Sequence, residues 1–258
     1  MEPSAVTPIE IAYPDAPDLT LRLTIGACRI RVQPGATAAW VSGVYSDRSG
    51  RIPCRVTIEG GTATIAQTPE FPDLFGIWDN IPEFDLTLGA GRPFSLTLET
   101  GASEAVVDLG GVPLTRLALR VGAGKYTVTF SAPNPQPMSQ LSVEGGAAAL
   151  ELGGLANANF ATMSVEGGAA GFSLDFDGTL QRDGHVRIQT GLAGIDLRIP
   201  GTTAARVSAQ TVLGGLDIGD GFMKTQGAFC TQAALSNQTP VLTIETNVAL
   251  GGLNLRTV

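Results

Sequence analysis

The string Phe172-Ser173-Leu174-Asp175-Phe176-Asp177-Gly178-Thr179-Leu180 sets two carboxylates one residue apart, just ahead of Gly-Thr. Such a pair can run phosphoryl transfer, the first Asp attacking phosphorus and the second acting as acid. That chemistry needs a strand of a wound α/β sheet, a later Lys and a distal acidic pair for Mg²⁺. Here the residues after Leu180 read as strands. Lys224 is the only lysine among them, and the nearest acidic pair, Asp217 and Asp220, precedes it. Asp175 also falls on the outward phase of a repeat, like Glu151, Asp196 and Asp217. The repeat therefore accounts for the string better than catalysis does.

Other fragments fail for equally concrete reasons. Gly122-Ala123-Gly124-Lys125 and Gly89-Ala90-Gly91-Arg92 resemble pieces of a phosphate loop. The full loop needs a Gly well upstream and Ser or Thr after the Lys. Tyr126 follows Lys125, and no helix follows to present its N-terminus. Leu213-Gly214-Gly215-Leu216-Asp217-Ile218-Gly219-Asp220-Gly221 has the flavour of Ca²⁺-binding β-rolls, but its Asp does not recur every nine residues as those do. His185 is the only histidine, so no set of Cys and His for zinc is expected around it. Cys28, Cys54 and Cys230 are odd in number and widely spaced, which reads as reduced, buried thiols. The expectation is no catalytic residue, no metal site and no cofactor.

The elements that carry these residues repeat. Ser95–Gly101 leads to Val107-Asp108-Leu109, Leu117–Gly122 to Tyr126–Phe130, and Leu141–Gly146 to Leu150-Glu151-Leu152. Met163–Gly168 leads to Phe172–Phe176, and Val186–Gly191 to Ile195–Ile199. Weaker copies end in Leu216-Asp217-Ile218 and Leu253-Asn254-Leu255. Lead glycines at 101, 122, 145, 167, 191 and 214 give a period of about 22 residues. Each repeat holds two runs that alternate apolar and polar, as half-buried strands do. No window keeps helical spacing for more than a turn. The chain reads as all-β: a parallel β-solenoid, a β-helix or β-roll, with two short strands per coil. Leu119, Val128, Leu150, Val165, Leu174, Ile188 and Leu197 should form its core. If register holds along the stack, Asp108, Glu151, Asp175, Asp196 and Asp217 should line up as a stripe of carboxylates on the second strand.

Residues 1–83 follow the same grammar less strictly. Leu19–Gly26 leads to Cys28–Val32, and Arg55–Gly61 leads to Thr62–Ile65. Residues 66–83 are irregular and rich in Pro and aromatics. Phe71, Phe75 and Trp78 are the candidate interaction residues, framed by Pro69, Pro72 and Pro82. They would cover the side of the solenoid or carry a contact between copies. Residues 84–258 carry the regular repeats, with a capping insertion at 219–240, and the whole reads as one continuous fold.

Composition narrows the function. The 258 residues hold 33 glycines, carry 43% hydrophobic residues and have a formal charge of −8. The hydrophobic content is enough for a packed core, and the negative charge disfavours a nucleic-acid surface. No apolar run is long enough to span a bilayer as a helix. The first residues lack the basic segment and apolar core of a signal peptide, so a cytoplasmic location is expected, with the envelope as the alternative.

The strings SLTLETGASEAVVDLGGVPLTRLALRVGAGKYTVTF and LSVEGGAAALELGG resemble the toast-rack β-solenoids. These are similar to the C-terminal domains of LiaF-type cell-wall-active-antibiotic-response proteins and to bacterial adhesin-like proteins. The resemblance covers residues 84–200 well and 17–66 in part. It implies a bacterial parallel β-solenoid and, through LiaF-type relatives, a part in envelope stress. Such relatives carry N-terminal membrane helices that this chain lacks. The family supplies no catalytic residues. The reading is a non-enzymatic scaffold or interaction module with a protein partner or a second copy. The alternative is a carbohydrate-binding or carbohydrate-active β-helix, which would place paired carboxylates beside Trp78 or Tyr126.

Overall fold

A computed structural model describes residues 5–50, 52–67 and 81–258. The N-terminal strands are β1 (Ala5–Ile11), β2 (Thr20–Ile25), β3 (Arg29–Gly35), β4 (Val41–Asp47), β5 (Cys54–Glu59), β6 (Thr62–Gln67) and β7 (Glu83–Gly89). Long strands follow: β8 (Phe94–Asp108), β9 (Leu114–Thr129), β10 (Met138–Gly153), β11 (Phe160–Asp175), β12 (Gly184–Ile199) and β13 (Ala204–Ile218). The chain ends with β14 (Phe222–Thr225), β15 (Ala228–Thr231), the single-turn helix α1 (Gln232–Leu235) and β16 (Val241–Thr257).

Each long strand is one rung with two arms. In β9, Leu117, Leu119 and Val121 point inward on the first arm, and Tyr126 and Val128 on the second. Residues 122–125 between them are exposed, and the inward phase changes from odd to even across that stretch. A period-2 strand can switch phase while keeping both arms on one core only by bending. The two runs of each repeat are thus the arms of one bent strand. The seven core residues expected from the pattern are all buried.

The rungs stack in parallel as β8-β9-β10-β11-β12. Loops close the third side and send Leu109, Phe130, Leu155 and Phe176 into the core. Asn134 clips three coils there. Its Nδ2 donates to Leu114 O at 2.9 Å and Ala158 O at 3.2 Å, while its Oδ1 accepts from the N–H of Leu114 and of Gln136.

Glycine at the bend has a packing cause. A Cβ on Gly146 would lie 2.6 Å from the carbonyl oxygen of Gly122, one rung away. On Gly122 it would strike Gly101 O in the same manner. In register this column continues through 146 and 168, the second member of each Gly-Gly pair. At 168 a Cβ would meet Gly146 O only at an ordinary 3.5 Å, whereas at 167 it would strike the Phe172 ring at 2.6 Å.

Both ends depart from simple repetition. At the N-terminal end, β2 and β3 together form one rung on the two arms of β8. Next come β6 on β2 and β7 on β3, both parallel. Antiparallel strands finish this end: β5 on β6, and β4 then β1 beyond β7. The Arg55–Ile65 stretch, which reads in sequence as another two-run repeat, is a hairpin with Glu59 opposite Thr62. Gly60-Gly61 is the reason, because two-residue hairpin turns require positive φ and Gly60 has φ 56°. At the C-terminal end the stack leaves chain order. The last strand, β16, inserts between β12 and β13, leaving β13 as the terminal rung. The hairpin β14–β15 pairs with β13 only at Arg206 and Val207.

Candidate functional site

A groove of about 930 Å³ runs along the bend. The glycine column opens it, because residues without side chains leave space where the arms meet. One wall is a ladder set by register: Thr24, Glu99, Arg120, Glu144, Glu166 and Gln189 are neighbours on successive rungs. Arg120 Nη1 donates to Glu99 Oε1 at 2.6 Å, and Arg120 Nε lies 3.5 Å from Glu144 Oε1. These ion pairs are half-exposed, so they order the wall more than they stabilise the fold. Asn247 and Gln210 continue the ladder. Every member sits two residues before its rung's bend position. Aligning the repeats on the second glycine of each pair would have revealed this row in the sequence.

The carboxylates expected to form one stripe divide between two rows. Glu151 neighbours Ser173, which neighbours Asp196; Asn254 then separates Asp196 from Asp217. Asp175 lies two residues further along and neighbours Arg198, and Asp108 neighbours Thr129. No two of these five acids are paired on adjacent rungs. Asn254 Nδ2 donates to Asp196 Oδ1 at 2.8 Å, relieving that carboxylate further.

Asp108 instead holds a turn. Burial opposes its ionisation, but hydrogen bonds from Ser131 Oγ and from the N–H groups of Gly110 and Ser131 outweigh it and hold the carboxyl below its usual value. A lowered folded pKa means this stabilisation is present above the ordinary carboxylate range and is lost as pH falls through it. The wild-type melting temperature should therefore fall more between about pH 6 and about pH 3 than that of Asp108→Asn. Equal slopes would show that Asp108 contributes no acid sensitivity.

The tempting motifs resolve into turns and clamps. Asp175 ends β11, and its Oδ1 accepts from Asp177 N–H at 3.0 Å; Thr179 N–H is held by Asn157 Oδ1. The string is a rung exit, with no wound sheet behind it. Lys125 pairs with Glu151 at 3.2 Å. Arg92 donates to the carbonyl oxygens of Pro14 and Ala16. His185 is exposed on the first arm, between Thr162 and Thr243 of neighbouring rungs. Burial pushes the thiols of Cys28 and Cys54 up to about 12 and about 11, so neither is a ready nucleophile. No group of three metal-ligating side chains occurs among the described residues. Tyr126 is buried in the core, bonded to Thr100 Oγ1 at 2.7 Å, and offers no sugar platform. Phe71, Phe75 and Trp78 lie outside the described residues.

The family model described as "N-terminal domain of toast_rack, DUF2154" matches residues 2–153. The chain belongs to the toast-rack family. Among solved structures, this toast-rack chain is similar to a "putative cell adhesion protein" from Clostridium sporogenes. The identity is 13% and the TM-score 0.49, covering 99% of this chain and 100% of that one. A "putative lipid binding protein" from Parabacteroides distasonis is 11% identical with TM-score 0.47, covering 100% and 97%. A "putative adhesin" from Bacteroides fragilis is 8% identical with TM-score 0.39, covering 99% and 98%. No curated protein matches the chain. No helix among the described residues is long and apolar enough to cross a membrane.

Proposed function

We propose that this toast-rack protein is a non-enzymatic interaction module of the bacterial envelope that holds an extended protein segment in the bend groove. The observation that carries this reading is the charged ladder Glu99–Arg120–Glu144–Glu166 beside a floor without side chains. Rungs repeat at about 4.8 Å. The stretch from Glu99 to Gln189 therefore spans roughly 19 Å, the length of about six extended residues. Backbone can approach the glycine floor closely, while charges on the segment meet the Glu-Arg-Glu-Glu wall. The envelope setting is supported by the family.

The carbohydrate reading draws less support. Sugar-binding clefts stack their ligand on exposed rings; of the two rings that would flank a cleft, Tyr126 faces the core and Trp78 lies outside the described residues.

The test uses purified bacterial envelope fraction. Wild-type protein should co-sediment with it, lose that binding when the fraction is first digested with trypsin, and bind about tenfold more weakly as Arg120→Glu. Hydrolysis of an aryl phosphate with Mg²⁺ should stay at background for wild type and Asp175→Asn alike. Binding that survives digestion would move the reading to a glycan. An absence of co-sedimentation would sink it, and turnover lost in Asp175→Asn would restore an enzyme.

A further inference from the structure

The terminal rung β13 ends the sheet with an open edge. Its outer side pairs with β15 only at Arg206 and Val207, and from Ser208 onward no strand among the described residues covers it. The edge from Ser208 to Leu216 reads SAQTVLGGL and carries no charge. Exposed edges are normally guarded by charge or proline. The other edges of this sheet obey that rule: β1 has Pro8 and Glu10, β5 has Arg55 and Glu59, and β14 has Lys224.

The core is also open at this end. Leu216 continues the inward column of Ile195 and Leu253, which are 1% and 0% exposed, yet it is 39% exposed. At the bend, Leu192, Leu250 and Leu213 stack on three successive rungs at 58%, 46% and 66% exposure. Val212, in the place glycine holds in earlier rungs, is 79% exposed. A contiguous apolar patch beside an unpaired edge marks a contact surface.

We propose that the β13 edge is a self-association face on which a second copy of this chain pairs antiparallel, end to end. The chain's own undescribed residues are badly placed to fill it. Gln67 and Ile81, which bracket residues 68–80, stand at the far end of the stack, eight strand steps away in the order from β7 to β13. At about 4.8 Å per step that is nearly 40 Å. Thirteen residues tethered at both ends reach out at most about 22 Å. Residues 1–4 precede β1, also at that end.

A second copy fits on charge and on symmetry. The chain carries −8 overall, so two copies meet with least repulsion where neither bears charge, and this stretch is such a place. A two-fold axis through the Thr211–Val212 peptide pairs Ser208 with Gly215 of the other copy, the isologous geometry of most dimers. It lays the first arm of one copy over the second arm of the other and joins the two leucine ladders at the bend. Backbone pairing then supplies the affinity, as in strand addition generally.

Sedimentation velocity of the full chain, up to about 100 µM, tests this. Wild type should show a concentration-dependent dimer. Val212→Lys/Leu213→Lys should be monomeric, with an unchanged circular dichroism spectrum. Amides 208–216 should exchange faster in the variant than in the dimer, whereas Val6→Lys, at the opposite end, should leave the dimer intact. A wild type monomeric throughout overturns the proposal. So does a dimer indifferent to the lysines, or one broken instead by Phe75→Ser/Trp78→Ser with the β13 edge still exchanging freely.

Discussion

Asn134→Ala should lower the stability of the folded chain by roughly 2–5 kcal/mol, read as a shift in urea midpoint at unchanged slope. The side chain is fully buried and makes four hydrogen bonds, two to carbonyl oxygens and two from backbone N–H groups. Those partners belong to three successive coils, at Leu114, Gln136 and Ala158. Alanine leaves several of them buried with fewer partners, and each orphaned group costs about 1–3 kcal/mol. Some relief comes from local backbone bonds, such as Leu114 N–H to Val112 O at 2.9 Å. Asn134→Asp tests the donors separately. It keeps an acceptor but loses both donations and buries a charge, so it should cost at least as much. A midpoint within error of wild type for both variants would show that the asparagine clip carries no stability.

Leu174→Ala should cost about 2–5 kcal/mol, the range for truncating a leucine in a close-packed core. Leu174 is fully buried in the column Leu152–Leu174–Leu197, with β10 on one side and β12 on the other. Neighbouring rungs are fixed by backbone bonds along both arms, so the cavity can collapse only slightly. That places the expected loss in the upper part of the range. Val106→Ala provides the comparison, since Val106 is exposed on the outer face and should shift stability by less than about 0.5 kcal/mol. Equal effects at the two positions would mean that the inward phase has been misassigned.

Much of this was legible in the residues alone. Alternation in Leu117–Val121 and again in Tyr126–Phe130 shows which side chains face in, because a strand has period 2 and one buried face. The glycine period showed that strands recur and stack. Gly101, Gly122 and Gly146 mark the bend, since a Cβ at each would strike a carbonyl oxygen of the adjacent rung. The string around Asp175 was likewise readable as part of a repeat, because Phe172–Phe176 keeps the same alternation as Ile195–Ile199.

Tertiary structure decided what lies next to what. A repeat identifies strands but not their neighbours, and residues 219–240 are long enough to let β16 enter between β12 and β13. That crossing builds the Leu192–Leu250–Leu213 ladder from residues far apart in the chain. It also strips β13 of a covering rung. Register between rungs was equally hidden until the bend positions were set: Asp108 and Asp175 lie seven residues past theirs, at 101 and 168, whereas Glu151, Asp196 and Asp217 lie five past theirs, at 146, 191 and 212. Asp175 and Asp108 consequently left the row of Glu151, Asp196 and Asp217, and like charges were separated by Ser173 and Asn254. The Gly60-Gly61 hairpin shows the same division. Local chemistry specified two strands and a turn there, and only the choice of partner made β5 an antiparallel edge.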